Sequence, residues 1–188
     1  MSSELFELIV AGQRRPAADG ATFTTYNPAT GEPLGEVAQA GASDLDAALD
    51  AARASFADGT GEWATTSATE RGRVLANAAR LIRERADEFA DTEVADAGHT
   101  ITDARWEAGA MADVFDYYAG AANKHFGDVI PVRDPGMMTV SRVPVGVCAL
   151  VVPWNFPSYI ATWKLGPALA AGNSVIVKPA SLTPLGAL

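Results

Sequence analysis

Asn155 lies in the loop Pro153-Trp154-Asn155-Phe156-Pro157, directly after an apolar run at residues 145–152. A side-chain amide placed beyond a buried strand can donate to the oxyanion that forms when a nucleophile attacks a carbonyl. Losing such a donor costs on the order of 3 kcal/mol of barrier. The alternative reading is a loop Asn that caps the following turn or helix. A second apolar run, 174–177, ends in Lys178-Pro179-Ala180-Ser181. An ammonium at a strand end is costly unless it is solvated or meets an anion or a hydroxyl. Cys148 sits in the middle of the first apolar run, where a thiol packs rather than reacts, so it is read as a core residue. His99 and His125 have no second ligand or base partner at suggestive spacing. Both are read as structural, and no metal site is expected.

The elements that must position these residues follow from pattern. The two apolar runs lack alternation, as strands of a parallel sheet buried on both faces do. The stretch between them reads as a helix ending near Gly172. That is a βαβ unit, and in open α/β sheets ligands bind beyond the carboxyl ends of the strands. Phe156, Tyr159, Ile160 and Trp163 fall at i, i+3, i+4 and i+7 and share one face of the helix. Spacing alone reads that face as core packing.

Upstream, 5–10 reads as a short strand turned at Ala11-Gly12-Gln13. Residues 23–26 and 34–37 flank Asn27-Pro28-Ala29-Thr30-Gly31 as an antiparallel hairpin. Ser43 is expected to cap a helix with Leu45, Ala48, Leu49, Ala52 and Phe56 facing inward, ended by residues 58–61. Ser67 and Glu70 form a capping box. It starts one long helix with Leu75, Ala78, Ala79, Ile82 and Phe89 inward, stopping by Gly98. Thr100 and Asp103 cap a third helix whose stripe is Ala104, Ala108, Met111, Phe115 and Tyr118. Residues 127–136, with Pro131 and Pro135, form the clearest break in organisation, and 137–143 alternate as a short strand.

Three motifs in register, PWNFP at 153–157, WKLGPALAAGN at 163–173 and VIVKPAS at 175–181, closely resemble the aldehyde dehydrogenase superfamily. The resemblance extends back to about residue 10 and covers the amino-terminal portion of such an enzyme. It implies an α/β fold in which an amino-terminal β-hairpin and helices precede the first βαβ unit of a Rossmann-like parallel sheet, incomplete relative to the aldehyde dehydrogenase fold. The implied divisions are 1–136 for the amino-terminal part of the cofactor-binding domain, 137–144 for an oligomerisation strand and 145–188 for the start of the βαβ unit. The catalytic domain is expected to lie outside the chain.

By the same resemblance Asn155 is the catalytic oxyanion donor. Val151, Val152, Pro153, Trp154, Lys178, Ala180 and Ser181 bind the dinucleotide, and Phe156, Tyr159, Ile160 and Trp163 line the aldehyde channel. The implied activity is oxidation of an aldehyde to the carboxylic acid with NAD or NADP through a cysteine thioester. The nucleophile and the base are not in this chain, so the chain alone is expected to be inactive. Alternatives are a non-catalytic truncated relic, a nucleotide-binding or interaction piece, or a coenzyme A-acylating semialdehyde dehydrogenase. NAD-preferring relatives often have Glu where Ser181 stands. A neutral Ser beside Lys178 removes repulsion of a 2′-phosphate and adds a donor, which favours NADP. The family binds dinucleotide without GxGxxG, so the lack of that fingerprint does not count against the reading.

Composition limits the partners. The formal charge of −9 and pI near 4.6, with Lys only at 124, 164 and 178, argue against nucleic acid, which needs clustered cations. The acidic residues read as a solvated surface. Prolines 144, 153 and 157 interrupt the longest apolar stretch, so no membrane span is expected. A lone cysteine excludes an internal disulfide and suits a reducing cytoplasm, and the acidic start MSSELFEL is unlike a signal peptide. The expected partners are a small-molecule aldehyde and further copies of the same protein as a homo-oligomer.

Overall fold

The computed structural model describes residues 5–133 and 135–188. Residues 1–4, on which the reading of the amino terminus partly rests, and Asp134 lie outside the described residues. The expected α/β class holds.

The chain opens with β1 (Leu5–Phe6), β2 (Leu8–Val10) and β3 (Gln13–Arg15). The β2–β3 hairpin turns at Ala11 and Gly12, both with positive φ. The expected hairpin follows as β4 (Thr22–Tyr26) and β5 (Pro33–Ala38). Its turn is built by Asn27, whose Oδ1 accepts the Ala29 N–H at 2.9 Å, a side-chain bond that mimics a backbone turn. β1 adds to β5 in parallel, so the sheet order is β1-β5-β4.

The next helix, α1 (Ala42–Phe56), is capped by Gly41 rather than Ser43. Asp44 explains the difference. Its buried carboxylate accepts from Gly41 N at 3.0 Å, Ala18 N at 3.1 Å and Arg15 Nη2 at 2.9 Å. The Gly41 bond first, and then those from Ala18 and Arg15, hold this carboxyl below the usual range. With Asp44 turned inward to tie down the amino-terminal segment, Leu45 points to solvent, 51 % exposed, against the expected stripe. After a 3-10 turn at Ala57–Gly59 comes the short α2 (Glu62–Thr65).

The Ser67–Glu70 capping box is present, with Glu70 N donating to Ser67 Oγ at 3.2 Å. The single long helix is in fact two, α3 (Ala68–Glu84) and α4 (Ala86–Asp96). Arg85, at φ −110° and ψ 21°, breaks it. No Gly or Pro signals the break; the bend lets both segments pack against α5 (Ile101–Ala121), capped by Thr100 as expected. Leu75, Ala79 and Ile82 meet Met111, Ala112 and Phe115 in the core. Between α4 and α5 the chain reverses at Gly98, whose φ is 75° and where a Cβ would lie 2.8 Å from Pro28 Cγ, so no side chain fits there.

The segment read as an organisational break contains a strand. β6 (Asp128–Ile130) pairs antiparallel with β7 (Met138–Val140), both exposed. The βαβ unit is as expected: β8 (Val147–Val151), α6 (Pro157–Ala170) and β9 (Ser174–Lys178), parallel from Val147↔Ser174 to Val151↔Lys178. Its strands are not buried on both faces. With two strands in this sheet and α1 and α6 packed on it, Cys148 is half-buried rather than core, and Val151 is 59 % exposed. Pro157 starts α6 at a position where no N–H is needed. No helix among the described residues is long and apolar enough to cross a membrane.

Candidate functional site

The carboxyl ends of β8 and β9 lie side by side. Val152 continues the ladder, its N–H donating to Lys178 O at 3.0 Å, and the chain then leaves the sheet through Pro153, Trp154 and Asn155. Lys164, from α6, donates to the Val151 carbonyl. Thr183 Oγ1 donates to Trp154 O at 3.2 Å, so the loop after β9 holds the loop after β8. Asn155 itself is exposed at the lip of this edge. Lys178 is exposed as well, its Nζ donating to Pro179 O at 2.9 Å, which meets the cost of an ammonium at a strand end by solvation. Ala180 is half-buried and Ser181 exposed beside it.

The face expected from the i, i+3, i+4, i+7 spacing divides in two. Tyr159 and Trp163 pack edge to face at 4.9 Å and line a cleft of about 690 Å³. Trp106, Tyr117 and Tyr118 of α5 form its other wall, and Trp106 meets Tyr159 at 5.6 Å. Phe156 and Ile160 do not line that cleft. Phe156 stacks instead on the imidazole of His99, with centroids 5.3 Å apart.

Sequence reasoning missed the groups underneath. Glu93 on α4 is buried, and its Oε1 accepts the Ser158 N–H at 3.2 Å and the Ser158 hydroxyl, capping α6 from outside the helix. Asp96, one turn on, accepts from Leu185 N at 2.8 Å and Thr25 Oγ1 at 2.9 Å. Burial pushes its carboxyl above the ordinary range, with the two hydrogen bonds opposing. His99 Nε2 lies 2.9 Å from the Asn155 carbonyl oxygen. Its Nδ1 is 2.8 Å from Oε1 of the buried Glu107, close as an ion pair although not aligned as a hydrogen bond. Burial raises the Glu107 carboxyl too, and His99 opposes that shift. Glu93, His99 and Glu107 each place one potential ligand atom within 4.8 Å of the others. The sequence signal for this group was Glu107 within the Ala104, Ala108 and Met111 stripe of α5, and Glu93 three positions after Ala90 on α4.

The geometry presents an amide donor, an ammonium and a hydroxyl at one sheet edge, with an aromatic cleft between α5 and α6. The sequence pattern that defines the aldehyde dehydrogenase family matches residues 15–188. An aldehyde dehydrogenase from Bacillus cereus, solved as its NAD+ complex, is 37% identical with a TM-score of 0.94 over 98% of this chain. A PnpE solved in complex with nicotinamide adenine dinucleotide is 40% identical with a TM-score of 0.92 over 97% of this chain. An NADP dependent enzyme from E. coli is 34% identical with a TM-score of 0.91 over 96%. This chain spans 37% of the length of each.

Proposed function

This chain belongs to the aldehyde dehydrogenase family, and from that premise we propose that it supplies the oxyanion donor and parts of the cofactor and substrate walls of an enzyme oxidising an aldehyde to its acid. The reaction uses NAD or NADP and passes through a cysteine thioester. The observation that carries this reading is the position of Asn155, exposed just beyond the carboxyl end of β8 and next to the polar end of β9.

Asn155 donates its side-chain N–H to the oxygen that becomes negative when a thiolate adds to the aldehyde. That interaction is stronger in the transition state than in the ground state, so it accelerates the step. Cys148 is not the thiolate, because it lies within β8, paired with Val175 and half-buried. The nucleophile and the base that activates water come from other parts of the enzyme.

The strand ends fit a dinucleotide. Lys178 and Ser181 offer an exposed ammonium and hydroxyl for the ribose or its phosphate, and Val151, Val152, Pro153, Trp154 and Ala180 offer a mostly apolar wall. The cofactor, when bound, supplies the hydride acceptor. Tyr159 and Trp163 contribute to the aldehyde wall on the evidence of the cleft they share with Trp106. The exposed β6–β7 ribbon suits pairing with a second copy in a homo-oligomer, and the lone cysteine suits a reducing cytoplasm.

The test is aldehyde-dependent formation of NADH or NADPH by the whole protein that contains this chain. Asn155→Ala is expected to lower kcat about a hundredfold. Absence of any aldehyde-dependent reduction in the wild-type protein would overturn the reading.

A further inference from the structure

We propose that His99 is a positioning residue for Asn155, its imidazole gripping the Asn155 main-chain carbonyl while Glu107 braces the ring from beneath. This rests on the reading of Asn155 as the oxyanion donor.

A carbonyl oxygen can only accept, so the 2.9 Å contact makes His99 Nε2 the N–H donor. That fixes the ring orientation and turns Nδ1 toward Glu107 Oε1 at 2.8 Å. Glu107 is 1 % exposed and Glu93 2 %, so neither can swing away into water. The ligands of a tetrahedral metal ion with bonds near 2.1 Å sit roughly 3.4 Å apart. The Nδ1–Oε1 pair is closer than that, so the two groups meet directly rather than across an ion.

The brace acts on the right segment. Val152 is held by β9, Trp154 by Thr183 and Ser158 by Glu93. His99 holds the residue between them, reaching across 56 positions of sequence, and its ring also carries the Phe156 side chain. Gly98, with positive φ and Pro28 against it, sets the main chain from which His99 projects. An amide donor must be held to within about 0.5 Å to act on a transition state. An exposed loop gains that precision here from a side chain anchored between two helices.

The experiment uses the whole enzyme with His99→Ala, His99→Gln, Asn155→Ala and the double variant His99→Ala/Asn155→Ala. His99→Ala is expected to lower kcat about tenfold with KM for aldehyde changed less than about twofold. His99→Gln, which keeps an N–H within reach of the carbonyl, recovers most of the loss. On the Asn155→Ala background, His99→Ala costs less than about twofold, because the group it positions is gone. Should His99→Ala fail to fold, Glu107→Gln loosens the brace at nearly constant volume and is expected to lower kcat only where Asn155 is present. Equal losses on both backgrounds, a loss confined to KM, or unchanged kcat would overturn the proposal. A wild-type protein without aldehyde oxidation would overturn the underlying activity instead, so the two failures are told apart.

Discussion

Glu93 and Ser158, 65 positions apart in sequence, meet where α6 begins: Glu93 Oε1 accepts the Ser158 N–H at 3.2 Å and the Ser158 hydroxyl. A helix leaves its first N–H groups without internal partners, and a carboxylate there also meets the positive end of the helix dipole. In most helices a preceding Ser, Thr, Asp or Asn serves. Here Phe156 occupies the cap position and offers nothing, so α4 lends the acceptor.

Glu93→Ala therefore leaves a buried N–H and hydroxyl unpaired, at a cost of about 1–3 kcal/mol. Glu93→Gln keeps an oxygen acceptor in place and is expected to cost less. Thermal unfolding of the whole protein checks this, and equal losses from both substitutions would mean that Ser158 is not held through this oxygen. Gly186 tests the same pair from the other side. A Cβ there would lie 2.1 Å from Ser158 Oγ and 2.6 Å from Glu93 Oε1. Gly186→Ala must push the two apart, so its loss and that of Glu93→Ala should be markedly less than additive when combined.

The Asp96 carboxyl is shifted in the opposite direction to that of Asp44. Burial raises its carboxyl above the ordinary 3.8, so the folded state holds the proton more tightly than the unfolded chain does. Its favourable contribution is complete below that ordinary value and is lost as pH rises through the raised one. The stability of wild type relative to Asp96→Asn should therefore fall as pH rises from about 4. Asp44, whose carboxyl is lowered, contributes stability at higher pH that disappears on acidification. Taking the difference between wild type and Asp96→Asn cancels Asp44 and the other carboxylates. A difference that grew with pH would refute the burial argument.

The elements legible in the sequence were those whose signal is local. Ser67–Glu70 and Thr100–Asp103 cap their helices because the whole motif lies within one turn. The two strands of the βαβ unit were legible because hydrophobic runs bounded by Pro and Gly leave few alternatives. The break at Arg85 was not, since Arg-Ala-Asp-Glu is good helix sequence and only packing against α5 bends it. Leu45 fits an inward stripe by hydrophobicity alone, and only the long-range partners of Asp44 turn that face the other way. His99 was read as structural without a partner, and Glu107 lies eight positions further on. Helix α5 brings Glu107 beneath the ring, and the chain reversal at Gly98 brings the ring to Asn155. Such pairings join distant elements, and no local period announces them.

Lys178 and Ser181 are the groups on which discrimination between a 2′-phosphate and a 2′-hydroxyl is expected to depend. Both are exposed at the carboxyl end of β9, and among the described residues Lys178 donates to Pro179 O. A ribose 2′-phosphate brought there would gain the ammonium and meet a neutral Ser181 rather than a carboxylate at that position, whereas a 2′-hydroxyl would gain only hydrogen bonds. An acidic residue at this place favours the hydroxyl and repels the phosphate. Ser181→Glu in the whole protein is therefore expected to lower kcat/KM for NADP by about tenfold or more, with NAD changed less than about threefold. Lys178→Ala should also weaken NADP more than NAD, since it removes the charge that the phosphate meets. Steady-state kinetics with both cofactors at fixed aldehyde provide the comparison. Parallel losses for the two cofactors, or no change in either, would mean that the 2′ position is recognised elsewhere.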